Sequence, residues 1–255
     1  MLTRTEIDFF RDQGYLRIPN WLDAAEVERL KALADAELAR ARDERTRGAW
    51  DLMEAAAPAV FRLSRIASRH EAFRAAALDA RGCAAARQLL GEDAVWCVNR
   101  HNMMVVKAPR VARPINWHQD GVNWDHPNML SLMVFLESAD AENGCLQVVP
   151  GAHKLGLLPP RAGTGDMDLD DPAQAALARQ AVPVCAAPGD ALFLPLRPAA
   201  PLGAEPFRAR PPEPRLRLRA GTRTRLGRVE DAADRVRAPA GDGGRLTIRL
   251  MARHA

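Results

Sequence analysis

A mainly β fold with flanking helices is what this chain of 255 residues predicts, and three patterns carry that reading. Apolar residues at helical spacing dominate the segment before Gly91. Beyond it they come in short runs rich in β-branched and methionine side chains: Val95 to Val106, Leu130 to Leu136, Cys145 to Val149 and Ala191 to Leu194. Pro109, Pro114, Pro150, Gly151 and Gly189 separate these runs, which suits an antiparallel barrel or sandwich.

The elements can be justified in order. Thr3-Arg4-Thr5-Glu6 offers hydroxyl caps for a short helix carrying Ile7, Phe9 and Phe10, and Gly14 supplies its stop. Tyr15-Leu16-Arg17-Ile18 alternates like a strand. Asp23 caps a longer helix whose Val27, Leu30, Leu33 and Ala34 recur at helical spacing. The Ala- and Arg-rich stretch from about Val60 to Leu90 reads as helix. Asp170 to Gln180 reads as an inserted helix. No internal repeat is present, and no linker precedes the tail.

Composition narrows the function classes. The hydrophobic fraction of 47% is ordinary for a globular protein. No run of about 18 apolar residues is present, so no membrane span is expected. The first residues lack the apolar core of a signal peptide. Cys83, Cys97, Cys145 and Cys185 show no Cys-x-x-Cys spacing, which fits a soluble protein in a reducing cytoplasm.

The net charge of +4 hides an asymmetry. Arg197 to Ala255 holds 14 arginines, no lysine and 6 acidic residues, a balance of +8, so residues 1–196 carry −4. Seven prolines punctuate the segment from Pro198 to Pro239, and Phe207 is its only aromatic. Such a tail cannot bury enough apolar surface to offset chain entropy and reads as disordered. Arginines alone attract nucleic acid, but this tail has no stacking platform and no reader motif. Nothing in the sequence specifies an oligomeric state.

The chemistry concentrates in Trp117-His118-Gln119-Asp120-Gly121. On a strand, residues two apart share a face, so His118 and Asp120 can converge on one ion while Gln119 points away. Two histidines and a carboxylate on one face of a metal describe a non-haem Fe(II) oxygenase, and His118 with Asp120 would be two of those three ligands. Elsewhere, His153 reads as a loop-ordering residue, His126 as a surface-loop histidine, and His70 and His101 as structural or exposed. Trp117 and Trp124 either line a pocket or pack. Lys107 reads as solvated at a strand end, and Arg110 and Arg113 need no special role.

Three stretches, taken together, are similar to one family. Asn116-Trp117-His118-Gln119-Asp120-Gly121, Asn143-Gly144-Cys145-Leu146-Gln147-Val148-Val149-Pro150-Gly151-Ala152-His153-Lys154 and Pro188-Gly189-Asp190-Ala191-Leu192-Phe193 resemble the phytanoyl-CoA dioxygenase family over residues 1 to about 197. The resemblance implies a double-stranded β-helix (jelly-roll, cupin-like) core. It implies Fe(II), 2-oxoglutarate as cosubstrate and O2, and hydroxylation of a small organic or acyl substrate with release of succinate and CO2. By position, it carries the metal and catalytic roles to His118 and Asp120. It carries cosubstrate contacts to Met103, Gln119 and Met133, although the family often has Trp where Met133 stands.

The same family pattern calls for a distal histidine about ten residues after the Gly-Asp pair, followed by Ser, Asn and an arginine for the cosubstrate carboxylate. Ala200 stands there, and no histidine follows until His254. The jelly roll is therefore expected to be incomplete at its C-terminus. GC-rich codons for Pro198 to Arg210, shifted forward by one base, can read Pro-Leu-His-His-Ser-Gly-Pro-Asn-Arg-Ser-Ala-Arg, which resembles the absent motif. Residues 1–197 thus read as an oxygenase-like domain. Residues 198–255 read as a disordered or out-of-frame tail, with a strand possible from Arg245 to Met251. A non-catalytic jelly-roll binding protein and an arginine-tailed nucleic-acid module are the alternatives. Succinate release coupled to oxygen uptake distinguishes the first, and salt-dependent DNA retention lost with residues 198–255 would support the second.

Overall fold

The computed structural model describes residues 1–43, 50–53, 59–77, 79–91, 94–96, 102–107, 116–120, 129–196 and 244–253. Helix α1 (Arg4–Gln13) starts as its sequence requires. Glu6 N–H donates to the Thr3 hydroxyl, and Thr3 N–H donates back to the Glu6 carboxylate, a reciprocal capping box. Gly14 ends α1 in the left-handed conformation, at φ 77°. Strand β1 (Leu16–Ile18) follows, and helix α2 (Ala24–Asp43) opens with the same reciprocal pairing between Asp23 and Glu26.

The stretch expected to be helical from Val60 divides. Ala59–Ser64 is a strand, β3, paired with β2 (Trp50–Met53), and only α3 (Glu71–Ala77) and α4 (Ala80–Leu90) are α-helical. Leu63 is fully buried, and its strand pairs with β5 (Met103–Lys107), so ladder pairing outweighs the helix propensity of neighbouring alanines. The run Val95 to Val106 likewise splits into β4 (Ala94–Trp96) and β5. Then come β6 (Met129–Phe135), β7 (Leu146–Val148), α5 (Pro172–Ala178), β8 (Val182–Val184), β9 (Ala191–Pro195) and β10 (Gly244–Arg253).

Eight strands form one sheet in the order β1-β9-β6-β10-β5-β3-β2, with β4 also on β10, and β7 and β8 form a second small sheet. Alternation along β6 separates two cores. Leu130, Leu132 and Val134 face a helical layer built from Phe10, Leu30, Phe73 and Leu89. Met133 and Phe135 face the other way, onto Val184 and Ala186 beside Leu146 and Val148 of the small sheet. The result is helices, large sheet and small sheet in layers, with sheets flanked by helices as expected. Among the described residues the α-helices hold somewhat more of the chain than the strands, so the fold is less dominated by β than the sequence suggested.

Two of the sequence motifs act in packing. Gly151 N–H donates to the Gln13 carbonyl, His153 Nε2–H to the Arg11 carbonyl at 3.0 Å, and Lys154 Nζ to Asp12 at 2.6 Å. The Pro-Gly-x-His-Lys turn thus caps the C-terminal end of α1, satisfying carbonyls that the helix leaves open. A Cβ at Gly14 would overlap the His153 ring. In Pro188-Gly189-Asp190, the Asp190 carboxylate is 1% exposed and accepts from Arg17 Nη1 at 2.6 Å, Ala187 N–H at 2.9 Å and Asn20 N–H at 3.0 Å. Gly189 sits at φ 89°, where a Cβ would come within 2.6 Å of the Leu22 carbonyl oxygen. Replacing Gly189 by Ala is expected to lower stability by about 1–3 kcal/mol, read as a shifted urea midpoint. An unshifted midpoint would mean that this turn tolerates a side chain.

Candidate metal centre

Five residues, Asn116 to Asp120, form a turn held from outside the large sheet. His118 makes an isolated antiparallel bridge with Asp166, and Met167 N–H donates to the Trp117 carbonyl at 2.7 Å. The Asn116 side-chain amide donates to the Asp166 carboxylate at 2.8 Å. These contacts fix the stretch in which the His118 and Asp120 side chains meet.

The His118 ring is oriented by its own turn. Nδ1 lies 2.7 Å from the Asn116 carbonyl oxygen, and a carbonyl only accepts, so Nδ1 carries the proton. Nε2 faces Asp120 Oδ1 at 3.3 Å. A nitrogen lone pair and a carboxylate oxygen repel at that separation, so a proton or a metal cation belongs between them. Metal–ligand bonds of about 2.1 Å put two donors about 3.0 Å apart at a right angle and about 3.4 Å apart at a tetrahedral angle. The observed separation lies within that interval, and the tautomer is the one a metal-binding histidine needs. The imidazole is 36% exposed and the carboxylate 16%.

The pair presents one imidazole nitrogen and one carboxylate oxygen to each other. Among the described residues, no group of three or more His, Cys, Asp or Glu side chains is placed to hold a metal. Ala200 and His254 lie outside the described residues, as do Trp124, His126, His101, Arg110 and Arg113, most of the tail, and the side chain of Lys107. His70, on the surface, accepts from Ala72 N–H and packs edge-on to Phe73, a structural role at the start of α3.

Gln119 points away from the pair. Its Nε2 donates to the Gly156 carbonyl at 3.0 Å, and its Oε1 accepts from Leu158 N–H at 2.8 Å. Met103 and Met133 lie on the sheet instead. Both are in register with position 249 of β10, one on each side, which separates them by two strand spacings, about 9–10 Å. Met104 and Leu132 point into the helical core, so alternation puts Met103 and Met133 together on the opposite face. The residues that hold His118 in place, Asn116 through its carbonyl and Asp166 through its bridge, carry no signal of that role in the sequence. Asn116 stands in the motif, and Asp166 comes 48 positions after His118.

The sequence profile of the phytanoyl-CoA dioxygenase (PhyH) family matches residues 10–197. The chain belongs to the phytanoyl-CoA dioxygenase family. An ectoine dioxygenase of Stutzerimonas stutzeri (strain A1501) is 33% identical over 156 residues, 58% of this chain and 49% of that protein. A probable alpha-ketoglutarate-dependent hypophosphite dioxygenase of Stutzerimonas stutzeri is 34% identical over 70 residues, 27% of this chain and 23% of that protein. The chain therefore spans about half, or less, of the curated relatives it matches. Among solved structures, AviO1 from Streptomyces viridochromogenes Tue57 superposes with a TM-score of 0.61 at 25% identity, over 77% of this chain and 86% of that one. EctD from S. alaskensis with bound Fe has a TM-score of 0.60 at 21% identity, over 77% of this chain and 69% of that one, a likeness of fold. No helix among the described residues is long and apolar enough to cross a membrane.

Replacing Asp120 by Ala in this phytanoyl-CoA dioxygenase family member is expected to weaken Co(II) or Mn(II) binding by more than about tenfold, measured by quenching of tryptophan fluorescence. Unchanged affinity would locate the bound metal elsewhere.

Proposed function

We propose that the chain is an Fe(II)- and 2-oxoglutarate-dependent dioxygenase by descent, acting on a small organic or acyl substrate. The observation that carries this reading is the His118–Asp120 pair, with Nδ1 pinned by Asn116 and Nε2 aimed at the carboxylate, in a chain of this family. When bound, iron with 2-oxoglutarate supplies oxygen activation, converting the cosubstrate to succinate and CO2 as the substrate is hydroxylated. His118 is the neutral nitrogen donor, kept so by the Asn116 carbonyl, which holds its proton on Nδ1. Asp120 is the anionic donor and offsets part of the metal charge. Met103 and Met133 are assigned to the cosubstrate side, on the inner face of the sheet. Gln119 retains one amide hydrogen and one lone pair for the same purpose. A double-stranded β-helix is the architecture this reading adopts for the layered sheets. Water exclusion falls to the packed face of Met133, Phe135 and Leu192.

We further propose that residues from about Pro198 are out-of-frame translation, so that this chain lacks its distal histidine and is impaired as written. The direction of β10 favours this second reading. It runs parallel to β4, β5 and β6, while every other described pairing is antiparallel. Strands β5 and β6 point the same way with one strand between them, and an antiparallel sheet needs the opposite direction there. A tail read in another frame would fill the gap with whatever alternating segment it happens to contain.

Both statements have direct tests. The chain as written is expected to release little succinate with Fe(II), 2-oxoglutarate and O2. A chain restored by a one-base shift after codon 197 is expected to release it with matching oxygen uptake. Coding DNA across codons 190–215 that offers no His-x-Ser-x-x-Asn reading in any frame would end the frameshift proposal. A restored chain that binds iron and consumes no oxygen would end the dioxygenase reading.

A further inference from the structure

Among the described residues, the backbone partners of the turn that carries His118 and Asp120 lie outside the large sheet. They belong to the segment between β7 and β8, which folds as a hairpin. Pro160 bridges Met167, and Arg161 N–H donates to the Asp166 carbonyl at 2.8 Å, closing the hairpin tip. The returning limb pairs with the metal turn through its backbone, at Asp166 and Met167. The entering limb is gripped by a side chain, Gln119, whose amide takes the Gly156 carbonyl at one end and Leu158 N–H at the other. Both limbs therefore hold the same five residues.

A second glutamine closes the base of the hairpin in the same way. Gln174, on α5, is 6% exposed. Its Nε2 donates to the Pro159 carbonyl at 3.0 Å, and its Oε1 accepts from Asp168 N–H at 3.1 Å. The Asp171 carboxylate fixes α5 from below by accepting from Ala173 and Gln174 N–H. Each amide thus spends a donor and an acceptor on backbone groups of one segment, and a buried amide that loses such partners leaves those groups unsatisfied. An apolar side chain of similar size at either position would free the hairpin to shift. The Nε2–Oδ1 geometry of the metal pair would then lose its outer support.

We propose that Gln119 and Gln174 are positioning residues for the His118–Asp120 pair, acting through the hairpin of residues 156–174. The inference rests on the metal reading above, and its test separates the two. Gln119→Leu and Gln174→Leu, made in the full chain without metal, are examined by hydrogen exchange. Amides in 117–120 and 156–168 are expected to exchange about tenfold faster or more, with β6 and β9 unchanged. Co(II) alone, titrated by tryptophan quenching, is expected to bind about tenfold more weakly or worse, while the melting temperature moves by no more than about 3 °C. Gln174→Glu, which keeps the acceptor for Asp168 N–H and loses the donor to Pro159, is expected to fall between. Unchanged exchange in these segments overturns the proposal, as does faster exchange spread equally over β6 and β9. Unchanged Co(II) affinity alongside the expected exchange also overturns it, since the hairpin would then not position the pair. Should neither the unsubstituted chain nor the frame-restored chain bind Co(II), the metal reading fails, and the exchange result still decides whether the two amides hold the turn.

Discussion

Strand β6 is buried along its whole length, and the layering of the molecule depends on that constraint. Met129 to Phe135 lies between β9 on one edge and β10 on the other, so its backbone groups are paired and its side chains must satisfy two cores. The outward residues Leu130, Leu132 and Val134 bind the helices to the sheet. The inward residues Met133 and Phe135 bind the small sheet. Ser131, fully buried on the inner side, is the polar exception, with a hydroxyl that has no hydrogen-bond partner among the described residues. A strand buried on both faces can only read as a continuous apolar run, which is how Leu130 to Leu136 stands in the sequence.

Around that strand, residues that mark the family divide between those used in packing and the pair proposed to hold metal. Gly14 and His153 are 139 positions apart and meet because the ring occupies the space a Cβ would take. Gly189 and Asp190 make a turn whose carboxylate gathers two backbone N–H groups and a guanidinium, a charge that burial alone would make costly. His118 Nε2 and Asp120 Oδ1 instead face one another at 3.3 Å, a separation suited to a shared proton or cation. Motif recognition by itself does not separate these uses, since a motif records residue types and not what their side chains face.

Local chemistry was legible where neighbours in sequence are neighbours in space. The Thr3–Glu6 and Asp23–Glu26 caps, the stop at Gly14, the apolar run of β6 and the helix beginning at Pro172 all follow from contacts within a few residues. The alternation of Arg245 to Met251 also found a strand, although its parallel direction could not be read from alternation. Reading failed at Val60 to Ser64, where alanine-rich flanks suggested helix and pairing with β5 decided for strand. Strands β2 and β8 went unnoticed because each is short and is defined by its partner.

The sequence by itself determined which atoms are available: a His-x-Asp pair with alternation that sets Gln119 apart, the family, and Ala200 where a third ligand is expected. Tertiary structure decided what those atoms face. The tautomer of His118 depends on the Asn116 carbonyl, and the placement of the turn depends on Asp166, Gly156 and Leu158, about 40 to 50 positions downstream. Hydrogen-bond partners at such separations are chosen by how chain segments cross. Periodicity, which reports only on a residue's own helix or strand, contains no record of that choice.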